Sequence, residues 1–247
     1  LSTSTVKDLG TVDLRAKKKP PAPRALLLGR DDFPDDGRLT KHLHSVGTDV
    51  TDLTTVPGYA AMMQDAYLSK SPREAFDQTV AWLGRVVHNE YEEEEEERGP
   101  PTLVDFTREG PHLVADSRDD GKRTAREEAI MFGQTGRLIG ILCEPAERGP
   151  ARTRDAVLFL NVGSNHRVGS NRMYVKMART FAARGITSFR FDVSGIGDSV
   201  ASSDFENRLY APEAVTDTQE AMTKLASLRE VERFYLVGLC SGSYLAY

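Results

Sequence analysis

Short apolar runs separated by longer amphipathic segments dominate the second half of the chain. Three of these runs, at 156–161, 186–191 and 233–237, have the length and composition of buried strands. The segments that follow the first two, at 170–183 and 211–228, carry apolar residues at helical spacing. Alternation of strand and helix predicts an α/β fold, with a mostly parallel sheet that has helices on both faces.

A β-hairpin is predicted just before these strands. Two extended runs, at 129–132 and 138–143, are separated by the glycine-containing segment 133–136. Runs of this kind joined by a short loop with glycine are typical of antiparallel neighbours. We therefore expect the hairpin to open the sheet of the second half.

A second α/β pattern occupies the first half of the chain. The run at 25–29 is typical of a buried parallel strand, and the alternation at 49–56 predicts another. A helix is expected at 36–46, and a further helix opens at Ser71 and Pro72, where serine can cap it and proline suits its first position.

A run of six glutamates, Glu92–Glu97, separates the two patterns and is followed by Gly99, Pro100 and Pro101. Like charges in a block repel each other, so the run predicts a solvated linker; an acidic segment that binds a basic partner is the alternative. The polar start of the chain ends in three lysines and three prolines, which favours another linker. The expected organisation is a linker at 1–23, a domain part at 24–89, a linker at 90–126 and a second domain part at 127–247.

The composition excludes several classes of function. The net charge of −5 and the absence of a basic stripe argue against nucleic-acid binding, and no apolar run is long enough to cross a membrane. Two cysteines, Cys143 and Cys240, are too few for a disulfide framework, so we expect a reducing, cytoplasmic location. His42 and His44 are two residues apart on a predicted helix and face different directions, so no metal or other cofactor is expected.

The segment Gly238–Gly242, of sequence GLCSG, carries the candidate chemistry. A nucleophile on a sharp strand-to-helix turn needs small residues two positions before and after it, which selects Cys240. A frame shifted by one residue would select Ser241 but would put Leu239 where a small residue is needed, so Ser241 is the second choice. The plainer alternative is a glycine-rich turn with an inert cysteine.

Four features in this order resemble the α/β-hydrolase family: the hairpin, the loop 163–169, the loop 192–199 and the GLCSG turn. A cysteine nucleophile is similar to that of dienelactone hydrolase-like members, and serine aminopeptidase-like members are the other group considered. The resemblance implies an oxyanion hole formed by the backbone N–H of Ser241 and one from Gly163 or Ser164. It also implies a helix start at the turn, which favours the thiolate of Cys240.

Residues 24–88 resemble the closing third of the same family, in which a strand ends at the catalytic acid and the catalytic histidine precedes the last helix. The resemblance selects Asp32 as the acid, three residues after Gly29; the alternative is that this carboxylate, or that of Asp31, caps the next turn. The histidine is expected within 65–69, where Tyr67 stands instead. His166 lies in the expected oxyanion loop, which suits a contact residue rather than the base.

The chain therefore resembles the C-terminal part of one hydrolase unit followed by the N-terminal part of another, as in a fragment of a tandem protein. The alternative is a circularly permuted single domain, in which 24–88 completes the sheet of 127–247. An uncovered sheet edge would invite pairing with the remainder of the chain or with a second copy.

The implied activity is hydrolysis of an ester, thioester or lactone-like acyl bond in a small molecule, through an acyl-enzyme on Cys240. The same residues would suit an acyltransferase. A decayed binding or assembly module is the alternative from another class, and Tyr67 in place of histidine favours it. Without a recognisable catalytic histidine, the chain alone is expected to be inactive or nearly so.

Overall fold

Two separate sheets organise the chain. The computed structural model describes residues 13–64, 68–95, 114–119, 122–146, 154–201 and 210–247. By its internal contacts the chain divides into a smaller unit, Leu1–Ala75 with Tyr247, and a larger unit, Phe76–Ala246. Each sheet belongs to one of these units.

The smaller unit contains a two-stranded parallel sheet and two short helices. Its elements are β1 (Arg24–Arg30), α1 (Arg38–Ser45), β2 (Asp49–Val56) and α2 (Tyr59–Met62). The strands agree with the predicted runs, and the expected helix at 36–46 is present over most of its length. A Cβ on Gly29 would lie 2.1 Å from the Thr54 carbonyl oxygen, so only glycine permits this close approach of the strands.

The larger unit contains a six-stranded sheet. Its strands are β3 (Val114–Asp119), β4 (Lys122–Phe132), β5 (Leu138–Pro145), β6 (Asp155–Phe159), β7 (Thr187–Phe191) and β8 (Arg233–Val237). Their order in the sheet is β3-β4-β5-β7-β6-β8. Strand β5 is antiparallel to both β4 and β7, whereas β6 is parallel to both β7 and β8. Four strands, β4, β6, β7 and β8, therefore point in one direction.

Helices cover both faces of this sheet. Alternate residues of β6 enter different cores: Val157 and Phe159 pack on one side, Ala156 and Leu158 on the other. The remaining helices are α3 (Arg73–Glu95), α4 (Met173–Ala183), α5 (Glu213–Arg229) and α6 (Ser241–Ala246). The first core receives α3 and α4, and the second receives α5. The predicted class, a mostly parallel α/β sheet between helices, is confirmed.

Helix α3 comes from the first predicted domain part but packs in the core of the larger unit. Its Val80, Leu83 and Val87 are buried there. The strands β1 and β2 form a two-stranded sheet within the smaller unit. Of the described part of 24–88, the last helix therefore belongs to the core of the larger unit, and the two strands belong to the smaller one.

The polar segment 90–126 contains more regular structure than its composition indicates. Helix α3 continues to Glu95, and β3 lies within the segment and pairs with β4, from Val114 opposite Glu128 to Asp119 opposite Lys122. The sequence of β3, VADSRD, has no apolar alternation, so backbone pairing with β4 determines this strand. None of the helices in the described ranges is both long and apolar enough to span a membrane.

Buried charges in the larger unit are paired. Glu127 of β4 lies between Arg179 of α4, at 2.6 Å, and Arg190 of β7. Burial opposes ionisation of Glu127, but the hydrogen bonds and charges of the two arginines outweigh it and lower the pKa of this carboxyl. The two ion pairs of Glu127 hold α4 against the sheet.

Candidate active site

The turn between β8 and α6 holds Cys240 in an uncommon backbone conformation. Its φ is +56°, a left-handed value that costs free energy in a residue with a side chain and is concentrated at functional sites. The carbonyl of Cys240 accepts the N–H groups of Ser243, at 3.0 Å, and Tyr244, at 3.3 Å, which start the helix. The Cys240 side chain is exposed. The turn therefore presents a thiol to solvent at the end of a strand.

The glycines on either side are sterically required. A Cβ on Gly238 would lie 2.2 Å from the carbonyl carbon and oxygen of Gly242. A Cβ on Gly242 would lie 2.9 Å from the carbonyl oxygens of Leu160 and Asn161, at the end of β6. The collision with helix and strand that the sequence predicts for the two glycines is thus found at both positions.

The loop after β6 contacts this turn directly. The backbone N–H of Gly163 donates to the Oγ of Ser241 at 2.7 Å, and this Oγ lies 3.4 Å from the Asn161 carbonyl oxygen. Gly163 has a φ of +56°, and Ser164 is exposed in the next position of the turn. Of the predicted site residues, Cys240, Ser241 and Gly163 are therefore brought together, with Ser164 adjacent in the chain.

Asn161 and Asp192 tie three loops at this edge of the sheet. The Asn161 Nδ2 donates to Asp192 Oδ1 at 3.2 Å and to the Asn165 carbonyl at 2.9 Å, while its Oδ1 accepts from Val193 N–H at 2.9 Å. Both side chains are buried. Sequence reasoning missed these two residues, although each stands where a strand gives way to a loop, a usual place for functional polar groups in α/β sheets.

Arg167 compensates the charge of Asp192. Its backbone N–H donates to Asp192 Oδ1 at 2.6 Å, and its guanidinium bonds Asp192 and also pairs with Asp198 at 2.6 Å. The ligand atoms of His166, Asp192 and Asp198 lie within 4.8 Å of one another, a spacing that a metal ion could bridge. The guanidinium already supplies the positive charge there, so we explain this cluster as a structural ion network.

Tyr174 of α4 lies beneath the turn. It is 1% exposed, and its ring packs against that of Phe159 with centroids 4.8 Å apart. Burial raises the pKa of Tyr174, and the backbone N–H of Leu239, which its oxygen faces, acts in the opposite direction. The phenol therefore stays protonated, and its ring supports the turn from the core side.

The two cysteines differ in environment. Cys143 of β5 is fully buried, and burial raises its pKa to about 12. It therefore stays a neutral thiol at physiological pH, whereas the Cys240 side chain is open to reagents. A cysteine-directed reagent should distinguish the two.

The acidic residues after β1 lie in the smaller unit. Asp32 forms a two-point ion pair with Arg30, both distances being 2.8 Å, and these hydrogen bonds lower its pKa. Asp31 instead accepts the backbone N–H groups of Gly58, at 2.7 Å, and Ala60, at 2.9 Å, which lowers its pKa too. Asp31 thus links the end of β1 to the start of α2. Capping of a turn was the alternative that the sequence left open for this residue.

The remaining predicted position cannot be placed beside the turn. Tyr67 lies outside the described residues. Asp32 belongs to the smaller unit, and Cys240 to the larger one. The larger unit therefore carries the nucleophile candidate and the N–H donors by itself.

No protein-family model and no curated protein matches the chain. Among solved structures, it is similar to an alpha-beta serine hydrolase homologue from Coxiella burnetii, at 13% identity and a TM-score of 0.35, over 57% of each chain. A lidless member of the α/β serine hydrolases from Xanthomonas campestris gives 17% identity and a TM-score of 0.35, over 57% of this chain and 55% of that one.

A hypothetical protein from Pseudomonas aeruginosa gives 23% identity and a TM-score of 0.35, over 54% of this chain and 40% of that one. The chain thus spans only 40 to 57% of the length of these structures. The fold assignment depends on the order, direction and covering of the strands given above.

Proposed function

We propose that the larger unit supports nucleophilic cleavage of an acyl bond in a small ester, thioester or lactone, with Cys240 as the nucleophile. The observation that carries this proposal is the 2.7 Å contact between the Gly163 N–H and the Ser241 Oγ. It brings a backbone donor from the loop after β6 up to the residue that follows an exposed cysteine. An oxyanion hole requires two N–H groups beside the nucleophile, and we assign these to Gly163 and Ser241.

In the proposed reaction, the Cys240 thiolate attacks the carbonyl carbon and a tetrahedral intermediate forms. The N–H groups of Ser241 and Gly163, with that of Ser164 adjacent, would stabilise the negative oxygen. For this, the oxygen would replace the Ser241 Oγ that accepts the Gly163 N–H in the structure. The carbon–sulfur bond is retained, the bond to the leaving group breaks, and the leaving group departs with the electron pair. Water would then release the acid, or another acceptor would take the acyl group, which gives a hydrolase or an acyltransferase.

The absence of a catalytic histidine from the predicted position limits this chemistry. His166 lies close to Asp192 and Asp198, in the ion network of Arg167. We therefore expect this chain to accept acyl groups from activated esters and to release them slowly. The tandem arrangement, in which Asp32 and Tyr67 belong to a preceding hydrolase unit, is the companion proposal, and it would place the missing acid and base of the larger unit elsewhere in the parent protein.

Acylation by an activated ester tests the proposal. Incubation with para-nitrophenyl acetate should release one equivalent of para-nitrophenolate per chain and add one acetyl group to Cys240, found by peptide mass spectrometry. Cys240→Ala should abolish the release. Cys143→Ala is the matched control and should retain it, because Cys143 is buried with a raised pKa.

Two other outcomes would count against the proposal. Acetylation spread over lysines, with the release unchanged in Cys240→Ala, would show that Cys240 has no special reactivity. Alkylation of Cys240 by iodoacetamide without any acylation by the ester would show an accessible thiol with no acyl-transfer site, and would favour a binding or assembly module.

A further inference from the structure

We propose that Tyr210 and Tyr244 form the binding site for the acyl group of the substrate, and that this group is planar and aromatic or conjugated. The inference rests on the proposed attack by Cys240 and specifies the substrate class of that site. Both tyrosines belong to the larger unit, as does the cysteine.

The two rings form a partly exposed pair, and one of them belongs to the helix that begins after Cys240. Tyr244 is one helical turn after Cys240, with its N–H bonded to the Cys240 carbonyl at 3.3 Å. The rings of Tyr210 and Tyr244 meet edge to face, with centroids 5.2 Å apart. Tyr210 is 37% exposed and Tyr244 39%, whereas Tyr174 is 1% exposed. The pair is therefore open to solvent and not part of the core.

The backbone of Tyr210 is held in an unfavourable conformation. Its φ is +58°, which is rare for a bulky residue and costs about 1–3 kcal/mol. Such strain persists only where surrounding contacts impose it, and it is concentrated at functional sites. Cys240, with a φ of +56°, shows the same strain, so the reactive sulfur and one wall of the proposed site are both positioned by strained backbone.

The electrostatics agree with this placement. Burial is the main cause that raises the pKa of Tyr210, and the charges of Cys240 and Tyr244 raise it further. A charge on Cys240 therefore lies near enough to act on the Tyr210 phenol. The ring stays neutral at physiological pH, and so it offers an apolar face and edge to an uncharged group.

The position of the tyrosine pair indicates which part of the substrate it would contact. The attacked carbonyl carbon has to lie at the Cys240 sulfur, so the neighbouring ring pair meets the acyl side or the leaving side of the substrate. The proposed oxyanion donor Gly163 lies in the loop after β6, while Tyr244 belongs to the helix that begins after the nucleophile, which favours the acyl side. Two tyrosine rings at right angles present a face and an edge to a third ring, an arrangement that favours planar partners over saturated ones.

A pair of esters that differ only in the acyl ring tests this inference. The rate of Cys240 acylation is measured with para-nitrophenyl benzoate and with para-nitrophenyl cyclohexanecarboxylate, and each rate is divided by that of N-acetylcysteine with the same ester. Sulfur bonds to the carbonyl carbon, para-nitrophenolate leaves with the electron pair, and the thiol proton goes to the buffer. The corrected preference for benzoate should be about three- to ten-fold.

Substitutions of the two tyrosines test whether they cause the preference for the benzoate ester. Tyr210→Leu and Tyr244→Leu should each reduce it toward one, whereas Tyr210→Phe and Tyr244→Phe should retain it because the ring remains. Val215→Ala, at an exposed apolar residue of α5, is the control and should leave it unchanged. Alkylation by iodoacetamide, which has no ring, should proceed at the same rate in all of these variants.

The experiment distinguishes failure of the proposed function from failure of the tyrosine-pair inference. If neither ester acylates Cys240, the proposed function itself is wrong. If both acylate it with no corrected preference, or if the leucine variants retain the preference, then the tyrosine pair is not the acyl site. A fall in the iodoacetamide rate that equals the fall with benzoate would also overturn the inference, since the tyrosines would then act on the thiol alone.

Discussion

The turn at Cys240 depends on the absence of a Cβ atom at the two glycines that flank it. Gly238 and Gly242 allow β8, α6 and the end of β6 to approach within contact of one another, because no Cβ stands between them. This requirement is local and steric, so it could be derived from five letters of sequence. The strained φ of Cys240 follows from the same crossing of strand and helix.

Gly238→Ala tests the steric requirement. Its Cβ would lie 2.2 Å from Gly242 backbone atoms, so the turn must shift, and we expect a loss of about 1–3 kcal/mol in the free energy of unfolding together with slower acylation of Cys240. Unfolding in urea can be followed by the fluorescence of Trp82, the single tryptophan, which packs against the core of the larger unit.

Gly84→Ala is the matched control for that substitution. Gly84 lies within α3, and a Cβ there would meet nothing within 4 Å. Alanine should therefore raise stability by about 1 kcal/mol through its higher helix propensity. An unfolding midpoint for Gly238→Ala equal to that of the unsubstituted chain would disprove the packing argument.

Other residues of the site could not be found in this way. Asn161 bonds Asp192 and Val193 across more than thirty positions of sequence, and Gly163 bonds Ser241 across 78. Nothing local in the sequence sets these partners, because they meet only when the loops after β6, β7 and β8 lie at one edge of the sheet. The resemblance to hydrolases indicated the loop of Gly163, but not the side chain that its N–H would bond.

At the scale of elements, the predicted strands and helices depend on apolar periodicity. For β2, β6 and β7, the predicted and observed ranges agree within one or two residues. Strand β3 is polar at most positions and is stabilised by pairing with β4, so its sequence carries no such signal. Long-range backbone pairing is what pattern reasoning could not supply.

The link between α4 and the sheet through Glu127 should appear in the dependence of stability on pH. The pKa of Glu127 is lowered on folding from a reference value of 4.5. The stabilisation that its ionised carboxylate gives to the folded state is therefore fully present above that pH, and it is lost as the pH falls through the lower pKa of the folded state. Glu127→Gln leaves Arg190 buried without its charge partner, and we expect a loss of about 3–5 kcal/mol near neutral pH.

The measurement is the difference in melting temperature between Glu127→Gln and the unsubstituted chain, followed from pH 7 down to about pH 3. This difference should shrink as the pH falls below 4.5. Asp77→Asn, at an exposed carboxylate of α3, is the control and should give a small difference at every pH. A difference for Glu127→Gln that is constant over the whole range would contradict the assignment.

At the scale of the whole molecule, the boundary between units does not coincide with the most obvious break in composition. The glutamate run predicts a division near residue 90, yet contacts divide the chain between Ala75 and Phe76. The apolar face of α3 explains the difference. A helix joins the unit that buries its apolar face, and Val80, Leu83 and Val87 are buried against the sheet of the larger unit.

Two fragments test this boundary. The fragment 70–247, which retains α3, should unfold cooperatively in urea with far-ultraviolet circular dichroism as the signal. The fragment 97–247 lacks the helix, exposes the core that it covers, and should be markedly less stable. Equal stability of the two fragments would show that α3 does not belong to the larger unit.

Within the full chain, Leu83→Ala should lower the free energy of unfolding by about 2–5 kcal/mol, because this side chain is 1% exposed.

The backbone at Cys240 is set by glycines and by main-chain bonds, and none of these contacts involves the thiol itself. Such a turn does not depend on the chemical identity of the side chain that it presents. Serine could stand there after a single nucleotide change in the codon without rebuilding the turn, whereas either flanking glycine could not be exchanged so freely. One substitution could therefore change the chemistry that this turn presents while its backbone geometry stays the same.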